Sequence, residues 1–292
     1  LAGDFELNFR NLEIVGGIRE VANDLTLDID TLLVDSASEL RLNDKSVTVP
    51  GSTLTIDGRL DIDAGGDLSL GSAGLMTISP SGTLSLVGVV GDQASITGAS
   101  GGGYTVIVNG TIEANHFHFG GMGANGVIIS NTATIAADPL DMRVGLFDDP
   151  SAQPNSVMLN ISRSAPTEFR YVDFDDGGGV GTFNVTALFG SPITFANSTG
   201  NFAGEAYDND PFNLVDWVVD TTGIVDFFAT AGLATVTLDW ETFIEVDSQD
   251  FVMFRADNFG GPFSNIGELP STGPSVYQLV DNAVTPGQFY VY

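Results

Sequence analysis

The chain has 292 residues, of which 38 are acidic and 9 basic; the formal charge is −29, and 43% of the residues are hydrophobic. A surface of that sign repels nucleic acid and anionic lipid, so neither is expected as a partner, whereas divalent cations are attracted. Cysteine is absent, which excludes disulfides, thiolate metal sites and cysteine nucleophiles, and no apolar run approaches the roughly 20 residues that span a bilayer.

The first residue is Leu1 and not methionine, as expected of a chain whose leader has been removed or of a fragment. Residues 1–24 hold two alternating segments, FELNF and LEIV, suited to a first coil or a cap. A solenoid exposes its terminal core and strand edges unless something covers them.

From Leu25 to Leu86 one unit recurs: an apolar-polar-apolar triplet followed by a turn. The triplets start at Leu25, Leu32, Leu40, Val47, Leu54, Leu60, Leu68, Met76 and Leu84, at spacings of 6 to 8 residues. Period-2 runs this short cannot be amphipathic helices, but they can stack. Taking every third triplet pairs 25 with 47, 32 with 54, 40 with 60, 47 with 68, 54 with 76 and 60 with 84, in coils of 20 to 24 residues. That spacing predicts a three-faced parallel β-helix, with Leu54, Ile56, Leu60 and Ile62 inward and Thr55 and Asp61 toward water. Gly58, Gly65 and Gly82 fall at corners, where positive φ is expected.

Beyond 87 the repeat loosens through ASI at 94, TVIV at 105, TIEA at 111, HFHF at 116 and VII at 127, with a glycine cluster before Tyr104. MRVGLF at 142, FRYVDF at 169 and PITF at 192 predict longer strands and loops. At about 22 residues per coil, residues 25–217 amount to roughly nine coils. The fold class expected is all-β: a β-helix solenoid over 25–217, a linker over 218–229, and, as the resemblance of the residues that follow implies, a small Ig-like sandwich over 230–292.

Two stretches carry a resemblance. NFAGEAYDNDPFNLVDW at 201–217 resembles the segment that closes a right-handed parallel β-helix in large secreted bacterial surface proteins. VTLDW at 236, ETFIEVDSQDFVMFR at 241 and VYQLVDNAVTPGQFYVY at 276 resemble the fibronectin type III-like modules of such proteins. Trp240, Phe251, Phe254, Tyr277, Tyr290 and Tyr292 stand at the matching aromatic places, with Trp240 expected at the end of a strand. The resemblance implies a secreted or cell-surface location and a module whose last strand is missing, since Tyr292 falls inside the penultimate one.

Candidate chemistry is sparse. His116 and His118 are the only histidines; a strand would place both on one face, as a metal or proton-transfer pair or as two polar residues facing out with Phe117 and Phe119 inward, or the reverse. Asp173, Asp175 and Asp176 form the one local carboxylate cluster that glycoside hydrolysis could use. The Gly-His-Gly and Arg-Ile-Lys motifs of pectin-hydrolysing β-helices are absent, and a lyase lacks the basic residues it needs. Calcium, the alternative cofactor to none at all, has three acidic candidates: FDDP at 147, DFDD at 173 and YDNDP at 207. Sequons begin at Asn109, Asn160, Asn184 and Asn197 and are expected to be chance matches. No phosphate loop, dinucleotide fingerprint or nucleophile elbow occurs.

These residues favour a non-enzymatic extracellular structural protein, a filament, surface-layer or matrix subunit whose partners are other copies of itself. The assembly interface is expected to join Phe5, Leu7 and Phe9 of one copy to Gln288, Phe289, Tyr290, Val291 and Tyr292 of the next by strand addition. The alternatives are a truncated adhesin fragment and a polysaccharide-binding or polysaccharide-degrading protein. No aromatic residue lies between Phe9 and Tyr104 to line a sugar groove there.

Overall fold

The structure is a computed structural model, and it describes residues 11–50, 53–99, 103–175, 182–219, 222–245, 250–258 and 261–292. Two compact units are present, residues 1–218 and 219–292. The first is a parallel β-solenoid. Its first face is an eight-stranded sheet running from Asn11–Ile14 through Thr31–Val34, Thr53–Ile56 and Leu75–Ile78 to Phe183–Thr186.

All six predicted stackings are the observed register. Leu25 lies beside Val47, Leu32 beside Leu54, Leu40 beside Leu60, Val47 beside Leu68, Leu54 beside Met76 and Leu60 beside Leu84. The physical reason is the period of two: any slip by one residue would turn a whole column of Leu, Ile and Val outward. Leu54, Ile56, Leu60 and Ile62 are fully buried, while Thr55 and Asp61 are half-exposed. Each such aliphatic side chain contributes roughly 1.5–3 kcal/mol by leaving water.

The glycine expectation holds only for Gly65, whose φ is +74°. Gly58 and Gly82 are required for another reason, close approach of neighbouring coils. A Cβ on Gly58 would lie 2.2 Å from the carbonyl oxygens of Asp35 and Ser38, and one on Gly82 would lie 2.0 Å from that of Ile56.

The second face holds Arg59–Asp63 and Thr83–Val87 and the third Asp67–Leu70 and Ala94–Gly98; the cross-section changes at the strand Thr111–Gly120, which runs along the second and continues into the third. One left-handed residue, His116 at φ +49°, makes the corner. The same corner recurs at Val144, Tyr171 and Asn197, with φ of +51°, +57° and +54°, and the strand registers stack these four. A left-handed backbone costs Val144 and Tyr171 about 1–2 kcal/mol each. In exchange, two strands become one, and aromatic rings fill the interior beside it. Phe119, Phe147 and Phe174 stack at centroid distances of 5.4 and 5.3 Å, and Phe195 stacks on Trp217 at 4.6 Å.

Outward on the second face, Arg41 bridges Glu39, Asp61 and Glu20, and Arg59 bridges Asp61 and Glu113. Arg59 reaches Glu113 across Ser85, which is thereby buried. Two of the 9 basic residues are thus spent on this ladder.

The strand Thr222–Ala231 occupies most of the stretch expected as a linker; it is the first strand of the second unit. That unit has an antiparallel three-stranded sheet, with Val236–Glu245 between Thr222–Ala231 and Val276–Asp281, and a hairpin of Asp250–Arg255 with Ser264–Pro270. Its core is Trp240, Phe251 and Tyr277. Trp240 stands mid-strand and not at a strand end, because the strand continues to Glu245.

Candidate functional site

The third face of the solenoid brings together residues that are far apart in the sequence. Parallel register makes an outward column of Asp67, Ser95, His118, Leu146, Asp173 and Thr199. Beside it run Ser69, Thr97, Gly120 and Asp148. His118, Asp148 and Asp173 therefore share one face, one coil apart at about 4.8 Å per coil.

Side chains pair diagonally between the columns, at Thr97 and at His118, and along the first column, at Thr199. Thr97 Oγ1 donates to Asp67 Oδ1 at 2.8 Å, and His118 Nε2 lies 2.8 Å from Asp148 Oδ1. Thr199 Oγ1 donates to Asp173 Oδ1, and the backbone N–H of Asn201 donates to Asp175 Oδ1 at 3.0 Å. Burial raises the carboxyls of Asp67 and Asp173 above the usual range, against the bonds from Thr97 and Thr199.

Gly120 makes the His118–Asp148 contact possible. A Cβ there would lie 2.5 Å from Asp148 Oδ1 and 2.6 Å from His118 Nε2. Gly120→Ala is expected to part the pair, and the Nε2 proton of His118 should then exchange with water too fast to be seen in proton–nitrogen spectra. Retention of that resonance at wild-type strength would show that the glycine is not what admits the contact.

His116 is not beside His118. Its left-handed φ interrupts the alternation, so it is buried at the corner while His118 faces out. Burial lowers its pKa. Phe117 and Phe119 point inward, as one of the two expectations had it. Asp149 follows Asp148 at φ +45° and turns into a cleft of about 630 Å³ lined by Gly98, Gly103, Gly121, Met122 and Pro150. Asp176 lies outside the described residues.

A second acidic group is YDNDP at 207. Carboxylate oxygens of Glu205, Asp208 and Asp210 lie within 4.8 Å of one another. Trp217 Nε1 donates to Asp208 at 2.9 Å, and the N–H of Val215 donates to Asp210 at 2.7 Å. Calcium takes six to eight oxygens, so carbonyls or water would have to complete this set.

Burial, with Asp210 and Glu205 adding to it against the Trp217 bond, pushes Asp208 up to about 6. A carboxyl raised in the folded state contributes stability that is complete below its ordinary value and is lost as pH rises through about 6. Asp208→Asn, which still offers an oxygen to Trp217, is therefore expected to raise Tm at pH 8 and leave it unchanged at pH 4. Equal gains at both pH values would contradict the assignment.

The five C-terminal residues expected at an interface are mostly tied inward. Val291 pairs with Ala256, Tyr292 donates to Asp281 at 3.0 Å, and the Tyr290 hydroxyl accepts from the Thr285 N–H at 2.8 Å. Gln288 and Phe289 are exposed. Phe5, Leu7 and Phe9 lie outside the described residues. Of the sequons, Asn184 and Asn197 are buried, while Asn109 and Asn160 are half-buried.

In the sequence His118, Asp148 and Asp173 belong to three separate motifs, HFHF, FDDP and DFDD. Counting residues per coil would have joined them, but the third-face column depends on the left-handed corner, for which no glycine gives a signal. Compared with family models, curated proteins and solved structures, the chain matches none. Among the described residues no helix is long and apolar enough to cross a membrane.

Proposed function

We propose that this chain is a secreted structural protein, a self-assembling filament, surface-layer or matrix subunit without catalytic activity. The observation that carries the reading is the parallel pairing of the first face over eight strands, with one register shift between Tyr104 and Val106, around an interior filled by side chains. Such a stack supplies length and stiffness. The second unit is read as fibronectin type III-like: a three-stranded sheet and a hairpin enclose Trp240, Phe251 and Tyr277, and Val291 runs beside Ala256. In this reading, copies join end to end, with strand addition along the Gln288–Tyr292 edge. Sedimentation velocity and negative-stain imaging over a concentration series test it. Species that grow with concentration are expected, and a monomer throughout would sink it.

A second reading, binding of a neutral polysaccharide along the third face, is favoured by the alignment of His118, Asp148 and Asp173 beside the Asp149 cleft. Hydroxyl acceptors one coil apart suit a repeating sugar chain. A glycan array with wild type and Asp148→Asn separates the two readings, since only the second predicts a signal that the substitution removes.

A further inference from the structure

The N-terminal end of the solenoid has an unmatched edge on its third face. Among the described residues the strand Leu25–Thr26 is the last of its sheet and pairs only with Ser46–Val49, one coil further in. Beside it is an apolar hollow of about 190 Å³, lined by Leu12, Ile14, Val21, Leu25, Leu27 and Leu32. Leu27 and Ile29 are only 5% and 4% exposed, although no described strand lies beyond them. The edge of the second face differs. There Arg19 stands in register with inward Leu40 and donates to the carbonyls of Val15 and Ile18. A cation in a core column keeps a further strand from adding on that side.

Residues 1–10 lie outside the described residues and lead directly into the first-face strand Asn11–Ile14. That strand lies on Thr31–Val34 at a spacing of 20 residues, Asn11 beside Thr31 and Leu12 beside Leu32. Carried back unchanged, the spacing sets Phe9 against Ile29, Leu7 against Leu27 and Phe5 against Leu25. Three apolar residues thus fall on three that line or enter the core. The residues between them match as well: Arg10 falls opposite Asp30, and Glu6 and Asn8 fall opposite Thr26 and Asp28, all three of the latter column being exposed. A slip by one residue would set Phe5, Leu7 and Phe9 in line with that exposed polar column instead.

We propose that residues 5–9 add to the Leu25–Ile29 edge of their own chain as a parallel strand, with Phe5, Leu7 and Phe9 closing the apolar hollow at the end of the solenoid. Three observations select this occupant over any other: the continued register, the pairing of Arg10 with Asp30, and the covalent connection. Phe9 is joined through Arg10 to Asn11, whose strand borders the hollow, so a partner in solution meets a far higher effective concentration of the tethered segment. The inference goes beyond the self-assembly reading and does not depend on it. Seated on their own chain, Phe5, Leu7 and Phe9 are withdrawn from the Gln288–Tyr292 edge of a neighbour, and the segment is a seal instead of a donor strand.

The chain has no cysteine, so a pair of introduced thiols in the full chain reads the register directly. Glu6→Cys with Thr26→Cys places the thiols on directly paired residues, roughly 4.8 Å apart and within disulfide reach. Glu6→Cys with Asp28→Cys places them two residues out of register, beyond about 7 Å. Under mild oxidation the first variant is expected to lose both free thiols while remaining a single chain on a non-reducing gel, and the second is expected to keep both. Closure of both pairs alike, or of neither, would overturn the proposal. Closure of the first pair only as disulfide-linked dimers would overturn it in favour of a second copy's segment on the same edge. Phe5→Ser with Leu7→Ser supplies a readout without thiols: opening the hollow is expected to raise the fluorescence of a dye that binds apolar surface, and dye binding equal to that of wild type would overturn the seal.

Discussion

Phe147→Ala is expected to cost the solenoid about 3–5 kcal/mol, the range for truncating a buried Phe in a core that cannot close around the gap. Phe147 is fully buried and packs between Phe119 and Phe174 at 5.4 and 5.3 Å, with Phe117 edge-on at 5.7 Å. The parallel ladders on both sides fix the coil spacing, so the neighbouring rings cannot move inward. The coils above and below would lose their shared contact, and in a solenoid the interface between neighbours carries the cooperativity. Urea unfolding followed through Trp217, with Trp240 replaced by Phe, reads the solenoid alone because the chain has 2 tryptophans, one in each unit. A loss below about 1 kcal/mol would mean that the site collapses and the aromatic stack is not what holds these coils.

The aliphatic part of the same solenoid was legible from residues alone, and the aromatic part was not. Up to Leu86 every coil is turn, triplet, turn, and the triplets carry the register because only one pairing keeps all of Leu25, Val47 and Leu68 inside. From Thr111 onward the turns between the second and third faces shrink to a single residue. Val144 and Tyr171 hold those corners although neither favours a left-handed backbone. Tertiary packing overrides local preference there: Gly145 has no side chain, and a Cβ on it would meet the Phe117 ring at 2.0 Å. The same override hid the candidate site. HFHF reads as simple alternation, and alternation places His116 and His118 together; the corner at His116 sends one inward and leaves the other opposite Asp148.

The second unit was legible in its core aromatics and obscure at its tail, where the pairing that matters is ionic. Asp281 is the hub: its side chain is 2% exposed, Arg255 Nη1 donates to it at 2.7 Å, the Tyr292 hydroxyl at 3.0 Å, and the N–H of Ala283 at 2.9 Å. Arg255 also lies 4.9 Å from the centre of the Tyr290 ring, so one guanidinium joins the hairpin strand to both tail tyrosines. Arg255→Ala removes the cation and leaves the carboxylate buried, a change that costs about 3 kcal/mol or more. The expected result is early unfolding of residues 219–292, reported by Trp240 with Trp217 replaced by Phe, while the solenoid transition stays where it was.

The pH dependence gives this second prediction its sign. Burial works to raise the carboxyl of Asp281, but the bonds from Ala283, Arg255 and Tyr292 outweigh it and hold the pKa below the usual carboxylate range. A depressed folded pKa contributes stability that is present above the ordinary value and lost as pH falls through the folded one. Wild type and Arg255→Ala should therefore differ most near neutral pH and converge in strong acid. Asp208 in the solenoid and Glu241 in the second unit, pushed up mainly by burial to about 6 and about 7, act in the opposite sense and favour the fold as pH falls through those values. Arg255→Ala should thus lower the second unit's transition at neutral pH and leave the solenoid's in place at every pH. A gap between wild type and Arg255→Ala that widens in acid would contradict the role given to Asp281.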